Sequence, residues 1–195
     1  MFRSEIVNYK FITMKIYLKY FLCVPLWLTF NFSFACTIFT SSSGDAVFVG
    51  NNEDICTANS VIHIFPPGKD SFGRILWGFK AAGNYQGGMN EYGLFFDGAG
   101  TPPVKMTQPD LPAFKGDFVF GEALKKCKTV EEAINLVKKY RMPYLQFSHL
   151  LLADATGDAA IVEWGNDKLN FIRKDGRNYL IATNFNITES ADPGK

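Results

Sequence analysis

A cysteine at position 36 follows a stretch whose pattern fits removal from the mature protein. Residues 1–20 carry four basic side chains against one acidic side chain, and residues 20–34 form an apolar run. Ser33 and Ala35 place small side chains at positions −3 and −1 of a cut before Cys36, and signal peptidase recognises small residues there. We therefore predict a signal peptide over residues 1–35, an exported mature chain, and Cys36 as its first residue.

An N-terminal cysteine carries a nucleophile and a base on one residue. Its α-amine has a pKa of about 8, so near neutral pH an unprotonated fraction can accept the thiol proton. Such a pair needs a polar group that orients the amine and donors that hold the oxyanion. Candidates are the polar run Asn-Asn-Glu-Asp at residues 51–54 and Asn184 near the last predicted strand. Either motif alone also fits a solvated turn or a strand-end cap.

Alternation and turn signals predict the elements that would position these residues. A hairpin is expected around Gly44, followed by strands at 61–65, 75–81 and 93–98 and a proline-rich loop at 101–116. Two helices follow, over 118–127 and from the capping box at Thr129. Strands return at 148–154, 159–164, 169–173 and 179–184. This order of blocks predicts an α+β fold with helices packed on a sheet.

Composition excludes several classes of protein. The 195 residues are 47% hydrophobic and 15% aromatic, which excludes a disordered chain and favours one domain. A net charge of +1 argues against nucleic acid as a partner, because binding to phosphates requires surplus cations. The apolar run is shorter than the ~20 residues of a stable membrane span. The Cys and His spacing gives no zinc pattern, so we expect no metal and no cofactor.

Four blocks resemble, in order, the choloylglycine hydrolase family, which contains penicillin V acylases and bile salt hydrolases among the N-terminal nucleophile hydrolases. The blocks are Cys-Thr-Ile-Phe at 36–39, Val-Gly-Asn-Asn-Glu-Asp at 49–54, Gly-Met-Asn-Glu-Tyr-Gly-Leu at 88–94 and Ala-Thr-Asn at 182–184. The resemblance covers the N-terminal part of that family. It implies an αββα sandwich over residues 36–195, incomplete at its C-terminal end. The implied reaction cleaves a linear, non-peptide amide of a small N-acyl substrate through a thioester acyl-enzyme.

The resemblance also implies roles for single residues. Cys36 would be the nucleophile and base, Asp54 would hydrogen-bond its amine, and Asn184 would help to form the oxyanion hole. Asn90 belongs to the third block and is a candidate for substrate binding.

Two further candidates for substrate binding mark departures from the family pattern. Asn51 stands where the family has an arginine, which disfavours bile salts and penicillin V as substrates. Asp97 falls in the neighbourhood of a second asparagine beside the oxyanion, for which the chain has no clear match.

The same residues fit other interpretations. Cys36, His149 and Asn184 follow the chain order of a papain-type site, but Cys36 leads into a strand and not into a long helix. A lipoprotein anchored through an acylated Cys36 is disfavoured by the bulky Phe34 at position −2. A catalytically inactive relative stays open.

The last residues of the sequence predict an incomplete domain. The chain stops in a turn-forming run after the last strand, so we expect a truncated domain with exposed edges that associates with further copies of itself.

Processing is directly testable. The exported protein should begin at Cys36 with a free amine and no lipid, because Ser33 and Ala35 direct the cut. Intact-mass spectrometry of the secreted or periplasmic protein checks this. A diacylglycerol on Cys36, or a different first residue, would contradict it.

Overall fold

The computed structural model describes residues 36–55, 59–79, 85–107 and 111–190. The predicted signal peptide lies outside these residues. The strands are, in chain order, β1 Thr37–Ser43, β2 Ala46–Asn52, β3 Ser60–Phe65, β4 Arg74–Phe79, β5 Tyr85–Asn90, β6 Phe95–Gly100, β7 Ser148–Ala153, β8 Ala159–Gly165, β9 Lys168–Arg173 and β10 Tyr179–Ala182. The helices are α1 Val119–Lys126, α2 Val130–Val137 and α3 Ile187–Ser190, with a 3-10 turn at Pro143–Gln146.

The strands form two antiparallel sheets. The small sheet has the order β10-β1-β2, and the large sheet runs from β3 to β9 with each strand beside its neighbours in sequence. Every pair is antiparallel, as expected where short turns join consecutive strands. The predicted turns have the required geometry: Gly44 between β1 and β2 has a φ of 57°, and Gly176 between β9 and β10 has a φ of 77°.

Period-two alternation divides the apolar side chains between two layers. One set fills the space between the sheets, with Ile38 and Leu180 from the small sheet and Phe95, Leu151 and Ile161 from the large sheet. Their sequence neighbours point to the opposite face of the large sheet and pack against α1 and α2; examples are Phe96, Leu152 and Val162 with Phe120 and Leu124. The layers therefore run helices, large sheet, small sheet.

Helix α2 begins as its sequence predicts. The side chain of Thr129 accepts a hydrogen bond from the Glu132 N–H at 3.2 Å. Glu132 turns back and accepts from the Lys128 N–H at 2.6 Å, one residue earlier than in the usual capping box. The buried carboxylate of Asp154 accepts from the Val130 N–H at 2.8 Å, which ties the helix start to the end of β7.

The predicted α+β class and its paired antiparallel sheets are confirmed, with two differences of detail. Strand β5 was not predicted, because Gly87 and Gly88 interrupt its apolar alternation; a Cβ at Gly88 would lie 2.4 Å from a Leu76 methyl carbon. The outer face of the small sheet carries the exposed side chains of Phe39, Phe48 and Ile181. Among the described residues, the second helical layer of an αββα sandwich is not represented on that face.

In the part of the chain that the structure describes, no helix has the length and apolar character needed to cross a membrane.

The layer between the sheets should contribute strongly to stability. Leu151→Ala removes a fully buried side chain and leaves a cavity, so the free energy of unfolding should fall by about 2–5 kcal/mol. Urea denaturation measures this loss. Phe48→Ala, at a site that is 61% exposed, is the control and should change stability by less than about 1 kcal/mol. Equal losses in both variants would contradict the layer assignment.

Candidate active site

The thiol of Cys36 lies where three segments of the small sheet meet. Cys36 directly precedes β1, the central strand. Because β2 and β10 run antiparallel to β1, the end of each returns to the start of β1; Thr37 pairs with Asn52, and Ile38 with Ala182. The chain just beyond β2 and just beyond β10 therefore reaches Cys36.

Those two segments supply the contacts of the thiol. Cys36 Sγ donates to Glu53 Oε2 at 3.4 Å. The backbone of Asp54 and the side chain of Asn184 also hydrogen-bond the sulfur. Burial raises the pKa of the Cys36 thiol, the charge and hydrogen bond of Glu53 raise it further, and the contacts of Asp54 and Asn184 oppose the rise. At neutral pH the sulfur consequently holds its proton and needs a base to become a nucleophile.

An amide shared by two carboxylates lies beside the thiol. Asn51 Nδ2 donates to Glu53 Oε1 at 2.7 Å and to Asp97 Oδ1 at 2.8 Å. Asp97 also accepts from Trp77 Nε1 at 2.8 Å and from the Gly98 N–H at 2.7 Å. Asn51 belongs to β2 and Asp97 to β6, so this network joins the small sheet to the large sheet.

Asp97 is fully buried, and its pKa is raised from 3.8 to about 6. Burial is the main cause, and the charge of Glu53 adds to it. The hydrogen bonds from Trp77, Gly98 and Asn51 act in the opposite direction. The site thus contains a carboxyl group that changes its charge near physiological pH.

Asn184 connects the two sheets at a second point. Its Nδ2 donates to the Gly100 carbonyl at the end of β6 at 2.7 Å. The following segment is anchored by the buried carboxylate of Glu163, which accepts from the N–H of Ile187 at 3.1 Å and from the N–H and hydroxyl of Thr188. These bonds fix the start of α3 and, with it, the chain on which Asn184 stands.

His149 contributes to that anchor. Its ring is fully buried, and Nδ1 lies 3.3 Å from Glu163 Oε2. The histidine of the papain-like order therefore contacts the carboxylate that holds α3.

The structure brings together five of the six candidate site residues. Asp54 and Asn184 contact the Cys36 sulfur. Asn51 contacts Asp97 directly and is connected to the thiol through Glu53.

The sixth candidate, Asn90, has other partners. Its Nδ2 donates to the carbonyls of Leu124 and Cys127, and its Oδ1 accepts from the N–H groups of Tyr92 and Leu94. These four bonds join the β5–β6 turn to the end of α1, so we assign Asn90 to the fold and not to substrate binding.

Two contributors were not singled out from the sequence. Glu53 lies inside the predicted polar run, but only Asn51 and Asp54 were given roles from that run, because the resemblance pointed to them. Trp77 was not chosen, since nothing in the sequence shows an indole N–H aimed at Asp97. An aspartate in an apolar strand was the available signal for Trp77, because a buried carboxylate must find donors.

Solved structures define the class of fold. A variant of conjugated bile acid hydrolase from Clostridium perfringens superposes with a TM-score of 0.58 at 21% identity, over 80% of this chain and 55% of that chain. Penicillin V acylase from Agrobacterium tumefaciens gives 0.51 at 20% identity, over 74% and 51%. The Caenorhabditis elegans ortholog of N-acylethanolamine-hydrolyzing acid amidase gives 0.54 at 11% identity, over 80% and 74%. The fold is that of the N-terminal nucleophile hydrolases, and the predicted resemblance is confirmed.

The family follows from the sequence match. Residues 40–192 match the model of the acyl-coenzyme A:6-aminopenicillanic acid acyl-transferase family, and the chain belongs to this family. No curated protein matches the chain. The chain spans about half the length of the bile acid hydrolase and of the penicillin V acylase.

The pKa of Asp97 should appear in the pH dependence of stability. The folded state binds the Asp97 proton more tightly than the unfolded state does, so this residue's contribution to the free energy of unfolding falls as pH rises from about 4 to 6. The total loss is on the order of 3 kcal/mol. Urea unfolding of wild type and Asp97→Asn across pH 4–7 should show this component only in the wild type.

Asp45→Asn, which removes an exposed carboxylate from the β1–β2 turn, is the control and should keep the wild-type profile. Parallel profiles for wild type and Asp97→Asn would contradict a raised pKa at Asp97.

Proposed function

We propose that the chain is exported, loses residues 1–35, and hydrolyses a linear, non-peptide amide with Cys36 as nucleophile and its α-amine as base. The observation that carries this proposal is the set of contacts at the thiol: a carboxylate, a backbone N–H and an asparagine side chain surround one sulfur. Membership of a family described as an acyl-transferase, and a fold shared with three amide hydrolases, support acyl chemistry at that sulfur.

Each contact has a part in the proposed reaction. The α-amine of Cys36 takes the thiol proton, and the sulfur attacks the carbonyl carbon of the amide. The side chain of Asn184 contacts the sulfur, and in the proposal its Nδ2 donates to the resulting oxyanion. When the tetrahedral intermediate collapses, the C–N bond breaks and the leaving amine takes the proton from the α-ammonium. A water molecule then adds to the thioester and releases the acid and the thiol.

The two carboxylates have different parts. Asp54 orients the α-amine in the proposal, as the family resemblance implies. Glu53 keeps the resting thiol protonated, because its negative charge and its acceptor oxygen both disfavour the thiolate. The amine must therefore act during attack, and a preformed thiolate is not required.

The relatives define the kind of bond that we propose for this site. Their names describe a bile acid conjugate, a penicillin and an N-acylethanolamine, each of which is cleaved at an amide. The family description names transfer of an acyl group from coenzyme A. Both outcomes share one acyl-enzyme and differ in whether water or an amine attacks it.

The role of the α-amine can be tested by a short extension. Protein that begins at Cys36 should hydrolyse N-acyl amides, and protein with Met-Gly left before Cys36 should be slower by at least ~10²-fold, because an amide nitrogen is not a base. Initial rates on a panel of N-acyl amides, with intact mass to detect the acyl-enzyme, measure the effect. Full activity in the extended protein would overturn the amine mechanism.

Cys36 and Cys127, the free cysteines among the described residues, supply a matched pair of variants. Cys36→Ala should abolish both hydrolysis and the mass shift of the acyl-enzyme. Cys127→Ala, at a buried position at the end of α1, should retain both. Loss of the acyl-enzyme in Cys127→Ala with Cys36 intact would place the nucleophile elsewhere.

A further inference from the structure

A cleft of about 380 Å³ opens beside the proposed nucleophile. Glu53, whose carboxylate contacts the Cys36 thiol, lies on its wall, and so does Gly100, whose carbonyl holds Asn184. A molecule in this cleft would therefore contact residues that bind the thiol and the proposed oxyanion donor.

The charges on the wall of the cleft have one sign. Glu53 and Asp117 supply two carboxylates, and none of the described lining residues is basic. The partners of Glu53 are the Asn51 amide and the thiol, both neutral donors. Asp117 is exposed and makes no ion pair with any described residue. These two negative charges are thus not neutralised within the described site.

The remaining wall suits an organic cation. The rings of Tyr85, Phe118 and Tyr144 line the cleft, and aromatic faces attract ammonium groups. The Tyr144 hydroxyl oxygen is buried and has no hydrogen-bond partner among the described residues. Burial raises the pKa of Tyr144 well above its usual value, so the hydroxyl keeps its proton. An unsatisfied buried hydroxyl in a cleft wall is a second indication of a binding site, independent of the carboxylates.

The position of Asn51 strengthens the charge argument. A guanidinium at residue 51 would offset Glu53 and Asp97, and the family has an arginine in that block. The neutral amide leaves both carboxylates uncompensated, and the Asp97 carboxyl adds negative charge above pH 6. An anionic ligand would meet repulsion here, whereas a cationic ligand would be attracted.

We propose that the substrate of this site carries a positively charged amine close to the scissile amide, and that Asp117 and Glu53 select it. The inference rests on the proposed function and narrows it to cationic N-acyl amides. It separates this chain from an enzyme that would recognise a carboxylate or sulfonate next to the amide.

The first test measures binding, so that it does not depend on turnover. Processed protein with Cys36→Ala is titrated by calorimetry with three decanoyl amides of matched size: those of 1,2-diaminoethane, 2-aminoethanol and glycine. These place an ammonium, a hydroxyl or a carboxylate at the same distance from the amide. The diaminoethane amide should bind about tenfold or more tighter than the ethanolamine amide, and the glycine amide should bind most weakly.

A second series places the charge on the acyl side. The p-nitroanilides of 6-aminohexanoic, hexanoic and hexanedioic acids are compared in the same way. The order cation, neutral, anion in either series supports the proposal. Equal binding across both series, or tightest binding of the anions, overturns it.

Asp117→Asn identifies the selecting group without altering the proposed catalytic residues. It should reduce the preference for the cationic ligand by about tenfold and leave the neutral ligand unchanged, because only a charged ligand responds to the lost carboxylate. Asp175→Asn, in the exposed β9–β10 turn, is the matched control and should keep the wild-type preference. If Asp117→Asn weakens all three ligands equally, Asp117 does not select charge and the proposal fails.

Hydrolysis of the same compounds by protein with Cys36 intact separates the two proposals. Binding in the expected order without any hydrolysis would overturn the proposed function but would still support a cation-binding site. Hydrolysis of all three decanoyl amides at equal kcat/KM would support the proposed function and overturn the cation site.

Discussion

Hydrogen bonds that cross from one sheet to the other are the constraint on which the site depends. Asn51 reaches Asp97, and Asn184 reaches the carbonyl of Gly100; both acceptors belong to β6 of the large sheet. A buried polar group that loses its partner costs about 1–3 kcal/mol, so the sheets cannot slide or separate without a penalty at the buried carboxylate of Asp97. Cys36 lies between them at the start of β1. The spacing of the sheets thus sets the surroundings of the sulfur.

The electrostatics of the site follow from the residues whose hydrogen bonds join the two sheets. A neutral amide, and not a cation, joins the carboxylates of Glu53 and Asp97. Burial of Asp97 raises its pKa to about 6, and the field of Glu53 contributes to the raised pKa of the thiol. At neutral pH the thiol is therefore protonated at rest. In the proposed reaction, the α-amine of Cys36 accepts the proton from the sulfur.

The sequence predicted the strands and the helical pair well, because alternation and turn residues are local signals. The hairpin at Gly44, the cap at Thr129 and the strands from residue 148 onward are all present within a few residues of their predicted bounds. The strand at residues 85–90 was missed, since Gly87 and Gly88 have no side chains to show alternation; their small size is required by packing against β4 and β6.

The site was only partly predictable for a different reason. The positions that meet at the sulfur lie far apart in the chain, and the family resemblance brought Cys36, Asp54 and Asn184 together. It could not reveal that the Glu53 side chain would reach the thiol, because neighbouring residues after a strand leave it in different directions. Asn90 shows the opposite error: its block is the most specific motif, yet its side chain holds a turn against α1. A motif can be maintained by folding as readily as by chemistry.

Gly87 is part of a set of residues by which the polar network can be recognised in other sequences. A Cβ at this position would lie 2.4 Å from Trp77 Nε1 and 2.5 Å from Asp97 Oδ2, so any larger residue would separate the indole from the carboxylate. Loss of that donor would leave Asp97 harder to ionise and would weaken its hold on Asn51. Asparagine at 51, tryptophan at 77, glycine at 87 and aspartate at 97 should therefore be inherited as a set. A homologue that differs at one of these four positions should also differ at the other three. An arginine at position 51 would instead offset the charges of Glu53 and Asp97.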